Sequence, residues 1–119
     1  MIIRDAKRID FEVVSKIYEQ VDALHRIAHP NMFKKPNVEG RPEAYFQSII
    51  DSESGKLVVA KIDNKVIGFT EAYIRTTPDF SVLKQRQWLL IDGIAVDEDF
   101  RRCGAGQAML DYLVSWSKE

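Results

Sequence analysis

The sequence predicts one α+β domain, in which antiparallel strands in the middle of the chain are flanked by helices. Two runs rich in β-branched residues, 57–62 and 66–74, surround the polar turn Asp63-Asn64-Lys65, which is typical of a hairpin. Amphipathic helical patterns occur before the hairpin and at the C-terminal end of the chain. The predicted element order is β-α-α-β-β-β-α.

The N-terminal half contains one strand and two helices. A short strand begins at Ile2 and stops near Ala6, and Asp10 is the expected N-cap of a helix that starts at Phe11. This helix ends before His29-Pro30, because the residue before a proline resists the α conformation. Residues 28–42 hold three prolines and form an irregular connection, and 43–50 form a shorter helix. The helix that starts at Phe11 carries apolar residues three and four apart on one face: Val13, Val14, Ile17, Val21, Leu24 and Ile27.

After the hairpin and a polar loop at 79–86, residues 88–96 form a strand that is apolar at nearly every position except Asp92. A connector at 97–100 precedes a final helix at about 104–117. We find no repeat, linker or low-complexity segment, so residues 1–119 are one domain.

Composition limits the class of protein. The chain has 119 residues, of which 45% are hydrophobic and 29% charged, and its net charge is −1. This balance argues against a broad nucleic-acid-binding face. The lone Cys103 excludes an intrachain disulfide and fits a reducing compartment. No signal-peptide core or apolar run of roughly 20 residues occurs, so we expect a cytoplasmic domain without membrane contact.

The most informative motif is a basic, Gly-rich turn, residues 101–107 (RRCGAGQ), between the last strand and the last helix. A helix N-terminus presents unpaired N–H groups and the positive end of the helix dipole. Gly104 and Gly106 let the backbone approach an anion without a Cβ in the way. The turn therefore predicts a site for a phosphorylated ligand.

The motif resembles the signature of the GNAT superfamily of acyl-CoA-dependent N-acetyltransferases, Gln/Arg-x-x-Gly-x-Gly/Ala after the fourth strand. The preceding Ile94-Ala95-Val96-Asp97 matches the usual end of that strand, and the upstream element order agrees. The resemblance implies a mixed, mostly antiparallel sheet flanked by helices. It also implies transfer of an acetyl group from acetyl-CoA to a primary amine by direct attack, without a covalent enzyme intermediate.

The resemblance also implies where acetyl-CoA binds. The pantetheine arm would pair with the strand at Ile94, Ala95 and Val96, and the Ile94 amide would lie near the thioester carbonyl. Arg101 adds positive charge. Backbone N–H groups of the turn would hold the pyrophosphate, namely those of Arg102, Cys103, Gly104, Ala105, Gly106 and Gln107.

The sequence departs from the family at its C-terminal end. Family domains continue with a fifth strand and a helix that often carries a tyrosine acting as general acid, whereas this sequence ends with the preceding helix. Tyr112 lies on that preceding helix and is not this acid. We expect either a truncated chain or a short form that completes its cleft with a partner, for example as a homodimer.

Two carboxylates are candidates for the general base that an amine acceptor needs. Asp92 alternates with Ile94 and Val96, so it should share their face of the strand; the alternative is a carboxylate that binds a neighbouring loop or the substrate. Glu71 is the second candidate, and its alternative is a solvent-facing position on a half-exposed strand.

Histidines carry a weaker signal. His25 and His29 have the i, i+4 spacing of two metal ligands, but no third ligand cluster accompanies them, so we expect no metal. By resemblance, His25, Met32 and Phe33 would contact the acceptor, although packing explains Met32 and Phe33 equally well.

The acceptor itself is not readable from the sequence. Small amines, aminoglycoside-like molecules, polyamines and protein amines all remain open. The rival function is a non-catalytic acyl-CoA-binding or oligomerisation module. A nucleotide-binding fold is disfavoured, because the turn lacks Gly-Lys-Ser/Thr and a β-α-β setting.

Overall fold

The computed structural model describes residues 1–28, 42–78, 82 and 84–119, and the order of its strands and α-helices confirms the predicted one. The structure also contains two short 3₁₀ turns that were not predicted, Arg8–Asp10 and Glu98–Phe100. In the described part of the chain, every helix is too short or too polar to cross a membrane. The elements are β1 (Ile2–Asp5), α1 (Phe11–Ala28), α2 (Glu43–Asp51), β2 (Gly55–Ile62), β3 (Lys65–Thr76), β4 (Gln87–Val96) and α3 (Ala105–Ser117).

The four strands form one sheet in the order β1-β2-β3-β4, and each neighbouring pair is antiparallel. The predicted hairpin joins β2 to β3. Asp63 and Asn64 both have positive φ, at 50° and 64°, which is the geometry of a primed turn that matches the twist of the strands. β4 lies at one edge of the sheet and leads directly toward the Gly-rich turn.

Helices cover both faces of the sheet, which explains why β2 is apolar at consecutive positions rather than at alternate ones. On one face, Val14 and Ile17 of α1 and Phe46 and Ile49 of α2 pack against Leu57, Val59 and Phe69. On the other face, Met109 and Leu113 of α3 pack against Val58, Ala60, Ile67 and Ala72. We call these the α1 face and the α3 face.

The predicted role of Asp10 as N-cap of α1 is wrong. Its carboxylate accepts hydrogen bonds from the Lys7 N–H at 2.8 Å and from the Arg4 guanidinium at 2.7 and 3.0 Å. It therefore closes the 3₁₀ turn before α1 and ties that turn to β1. Although burial alone would raise the pKa of Asp10, the hydrogen bonds from Arg4 and Lys7 lower it below its ordinary value.

A β-bulge interrupts β4 at Asp92. Glu71 pairs with Gly93 and the next residue of β3, Ala72, pairs with Ile91, so Asp92 is the extra residue. The bulge corrects the prediction that Asp92 shares a face with Val96. Asp92 opens on the α1 face, whereas Val96 packs with the cluster on the α3 face. Strict alternation fails here because a bulge shifts the side-chain pattern by one residue.

Candidate acyl-transfer site

A cleft of about 250 Å³ opens on the α1 face, beside the bulge in β4. Its floor is made by β3 and β4, and its walls come from α1 and from Tyr45 of α2. A volume of this size suits a small molecule or the end of a long side chain. The residues that line it are Tyr18, Val21, Asp22, His25, Tyr45, Phe69, Glu71, Asp92, Gly93, Ile94 and Ala95.

Glu71 is the buried polar centre of this cleft, with only 3% of its surface exposed. The Tyr18 hydroxyl donates to Oε1 at 2.7 Å, and the Tyr45 hydroxyl donates to both carboxylate oxygens at 2.9 Å. The burial excludes the alternative that Glu71 faces solvent on a half-exposed strand. Two tyrosines from two helices hold its carboxylate in one orientation.

Asp92 is exposed and lies next to Glu71, and both carboxyl groups line the cleft. Burial raises the pKa of Glu71, the contact with Asp92 raises it further, and the two tyrosine hydroxyls oppose these effects. The unfavourable interaction between the two neighbouring carboxyl groups therefore favours the protonated form of Glu71. The structure thus brings both predicted carboxylates into one cleft.

The outer edge of β4 presents free backbone groups next to this pair. The Asp97 N–H donates to the Ile67 carbonyl at 2.7 Å. In an antiparallel ladder, hydrogen-bonded and non-bonded pairs alternate, so Ala95 and Gly93 bond to β3, while the amides of Ile94 and Val96 point away from it. In the described part of the chain no strand pairs with this edge.

The Gly-rich turn forms the N-terminus of α3. Arg102 and Gly104 have positive φ, at 67° and 87°, and Gly104 is the N-cap of the helix. Its carbonyl accepts the first helical hydrogen bond, from the Ala108 N–H at 3.1 Å. The N–H groups of the first turn therefore have no partner within the helix. No side chain caps them, and no acidic residue lies in that turn.

Charge and space around the turn both suit an anion. Arg101, Arg102 and Cys103 are exposed, and a Cβ added at Gly106 would meet no atom within 4 Å. The Gln107 side chain donates to Asp111 at 3.0 Å and does not cap the helix. The backbone N–H of Gln107 lies in the first turn of α3. The turn therefore presents an electropositive row of backbone N–H groups, which is chemistry that suits an anion.

A backbone contact connects α1 to the segment before the turn. The Glu98 N–H donates to the Gln20 side-chain oxygen at 3.1 Å, and the Asp97 carboxylate accepts from the Asp99 N–H at 3.0 Å. These two hydrogen bonds fix the connector between β4 and the turn. The connector that these hydrogen bonds hold in place thus joins the cleft, at β4, to the Gly-rich turn.

The other residues singled out in the sequence have varied outcomes. His25 lines the cleft, whereas His29, Met32 and Phe33 lie outside the described residues. Among the residues that are described, no group of three or more His, Cys, Asp or Glu side chains could hold a metal. Tyr112 is half-buried and donates to Asp5 at 2.7 Å, and it does not line the cleft.

Sequence reasoning missed five residues of the cleft: Tyr18, Asp22, Tyr45, Phe69 and Gly93. Tyr18 follows Val14 and Ile17 on the apolar face of α1, so a hydroxyl on a core-facing stripe was an available signal. Tyr45 carried no comparable signal, since α2 places it against Glu71 from 26 residues away. Nothing in the sequence pointed to Gly93, because its position in the cleft depends on the bulge in β4, and the bulge depends on the register with β3.

Comparison with protein-family models identifies the family of the chain. The model of the acetyltransferase (GNAT) family matches residues 21–119. None of the curated protein sequences matches the chain. Because the family match covers most of the chain, the protein belongs to the GNAT acetyltransferase family. Its class of activity is that of a GNAT-type N-acetyltransferase.

Solved structures show the same fold. A mutant of the BH1408 protein from Bacillus halodurans is 25% identical, with a TM-score of 0.90 over 98% of this chain and 74% of that one. An acetyltransferase from Vibrio fischeri is 19% identical, with a TM-score of 0.77 over 99% and 87%. The aminoglycoside N-acetyltransferase AAC(6')-Iy in complex with CoA is 18% identical, with a TM-score of 0.68 over 97% and 69%.

Proposed function

We propose that the protein transfers an acetyl group from acetyl-CoA to a primary amine that binds in the cleft, by direct attack on the thioester. The observation that carries the proposal is the Glu71–Asp92 pair, which opens into the cleft next to the outward-facing amides of β4. A proton acceptor and a row of backbone donors then meet where an acyl group and an amine would react.

The proposed acetyl-CoA site runs from β4 to α3. The pyrophosphate binds the backbone N–H groups from Arg102 to Gln107, with charge from Arg101 and Arg102. The pantetheine arm pairs with the free edge of β4 through Ile94 and Val96, and Ala95 keeps that segment bonded to β3. Backbone recognition of this kind depends on the conformation of the turn rather than on particular side chains.

The proposed chemistry balances as follows. Asp92 removes a proton from the ammonium form of the acceptor, and the free amine nitrogen attacks the thioester carbonyl. A C–N bond forms, the carbonyl oxygen gains negative charge, and the Ile94 N–H stabilises it. The C–S bond then breaks, the nitrogen loses its second proton, and the CoA thiolate takes up a proton. Glu71, held by Tyr18 and Tyr45, shares the proton that Asp92 accepts.

We further propose that a second copy of the chain covers the first half of the open edge of β4, from Trp88 to Ile91, and leaves Ile94 and Val96 free for the pantetheine arm. Trp88, Leu90 and Ile91 on this strand are each between 37% and 44% exposed, and an unpaired edge bearing such residues tends to associate. Light scattering at increasing concentration should show a dimer, and a monomer at every concentration would exclude it. A cytoplasmic location is part of this proposal, since Cys103 is an exposed free thiol.

The test separates binding from chemistry. Calorimetry with CoA measures the first, and release of the CoA thiol from acetyl-CoA in the presence of a panel of primary amines measures the second. Asp92→Asn should retain CoA binding and lose about 100-fold or more of the amine-dependent rate. Glu53→Gln, at an exposed position outside the cleft, is the control that also removes one carboxylate.

Two other results would overturn parts of the proposal. CoA binding without thiol release for any amine would favour the non-catalytic binding module. Absence of CoA binding at millimolar concentration, in a protein that melts cooperatively, would remove the cofactor assignment.

A further inference from the structure

Gly93 is a glycine that the fold of the chain does not itself require. Its φ is not in the left-handed region, and a Cβ built on it would meet no atom within 4 Å other than those of its two chain neighbours. Gly55 and Gly68 differ, since a Cβ there would approach other atoms to 3.2 and 3.0 Å, and Gly104 has its φ of 87°. A glycine inside a strand is destabilising by roughly 0.5–1 kcal/mol relative to alanine. Its presence at position 93 therefore needs an explanation outside the packing of the chain.

The space above Gly93 belongs to the cleft. Gly93 pairs directly with Glu71 across the two strands, so a side chain at position 93 would stand on the same face as the Glu71 carboxylate. Both residues line the cleft together with Asp92. The Thr70 hydroxyl donates to the Gly93 carbonyl at 2.8 Å, which holds the backbone in place.

We propose that Gly93 is a specificity-determining residue of the cleft: its missing side chain leaves room for substitution on the carbon that bears the acceptor amine. With an amine nitrogen at the Glu71–Asp92 pair, the next carbon of the acceptor lies over Gly93. The cleft then admits primary amines on a branched carbon as well as unbranched aminomethyl groups. This inference rests on the proposed role of the cleft as the acceptor site.

The size of the cleft makes one methyl group matter. A methyl group is about as large as a water molecule, whose share of liquid volume is roughly 30 Å³, against a cleft of about 250 Å³. An added Cβ thus fills about one eighth of the cleft at the point nearest the carboxylate pair. One carbon more or less in a well-fitting pocket changes discrimination by about 10- to 200-fold.

The experiment compares wild type, Gly93→Ala and Gly93→Val with two matched amines, n-butylamine and sec-butylamine. Binding is measured by ligand-observed NMR in the presence of CoA, and turnover by thiol release. Gly93→Ala should weaken sec-butylamine binding at least about tenfold more than n-butylamine binding, and Gly93→Val should weaken both. Val114→Leu adds one carbon at an exposed position of α3 and should leave the ratio unchanged.

The two readouts separate this inference from the proposed function. If the amines bind and the ratio shifts as stated but no thiol is released, the inference stands and the acetyl-transfer proposal falls. If the ratio is the same in wild type and Gly93→Ala, or if neither amine binds to wild type, the inference is overturned. Since alanine fits the backbone at position 93, Gly93→Ala should melt at or above the wild-type temperature, which checks that it folds.

Discussion

Replacing Glu71 by glutamine should make the protein more stable at neutral and alkaline pH while it removes activity. Glu71 is 3% exposed, and burial together with Asp92 raises its pKa above 4.5. Between the unfolded and folded pKa values, the folded state binds more protons than the unfolded state, so wild-type stability falls as pH rises through the folded pKa. Glutamine carries no charge to bury and can donate to Asp92, so Glu71→Gln does not lose stability in this way.

The size of the effect follows from opposing contributions. Burying a carboxylate costs several kcal/mol in practice. The two tyrosine hydrogen bonds at 2.7 and 2.9 Å recover about 1.5–3 kcal/mol each, as bonds to a charged group do. Because the pKa of Glu71 remains raised, a net cost survives, on the order of 1 kcal/mol. For a chain of this length that corresponds to about 3–5 °C in melting temperature.

The assay is the melting temperature of Glu71→Gln and wild type at intervals from pH 4 to pH 9. The difference should be small near pH 4, below the ordinary pKa of a glutamate, and should grow as the pH rises through the raised pKa of Glu71 in the folded state. Glu53→Gln, which alters an exposed carboxylate, should show no such trend. A Glu71→Gln variant that is less stable than wild type at pH 8, or a difference independent of pH, would refute this reasoning.

The remaining predictions concern the scaffold and the turn. Asp10→Ala removes the acceptor of the Arg4 and Lys7 hydrogen bonds and should cost about 2–3 kcal/mol in urea unfolding. The stability that Asp10 contributes to the wild type is lost as the pH falls through its lowered pKa. The free energy of unfolding of the variant should therefore fall less than that of the wild type below pH 4. Gly104→Val forces a branched side chain into φ 87°, and should cost about 1–2 kcal/mol and weaken CoA binding in calorimetry. Tyr112→Phe removes an exposed hydrogen bond to Asp5 and should cost no more than about 1 kcal/mol by thermal melting.

The order of elements was predictable because each depends on a local pattern. Helical spacing on α1 and α3 and the apolar runs of β2 and β4 are set by neighbours in sequence, and the polar turn at Asp63 and Asn64 joins β2 to β3. The Gly-rich turn was readable for the same reason. Its conformation depends on residues 101–107 and on the helix that follows.

The cleft was less predictable because its parts meet only in the folded chain. The sequence left open whether Glu71 is a base in a site or a solvent-facing residue, because its partners Tyr18 and Tyr45 lie 53 and 26 residues before it. The bulge at Asp92 depends on register with β3, and it moved this carboxylate to the α1 face. The prediction that Asp10 caps α1 was wrong because its carboxylate instead binds Arg4, which lies on β1.

The most direct test of the central claim is mass spectrometry of amine acceptors after incubation with acetyl-CoA and the protein, with the intact protein analysed in parallel. The account predicts an N-acetylated amine, its loss in Asp92→Asn, and no acetylated protein when acetyl-CoA is present without an amine. An acetyl group carried by the enzyme itself would contradict direct attack. A protein that binds CoA but acetylates no primary amine would contradict the assignment of the cleft as the acceptor site.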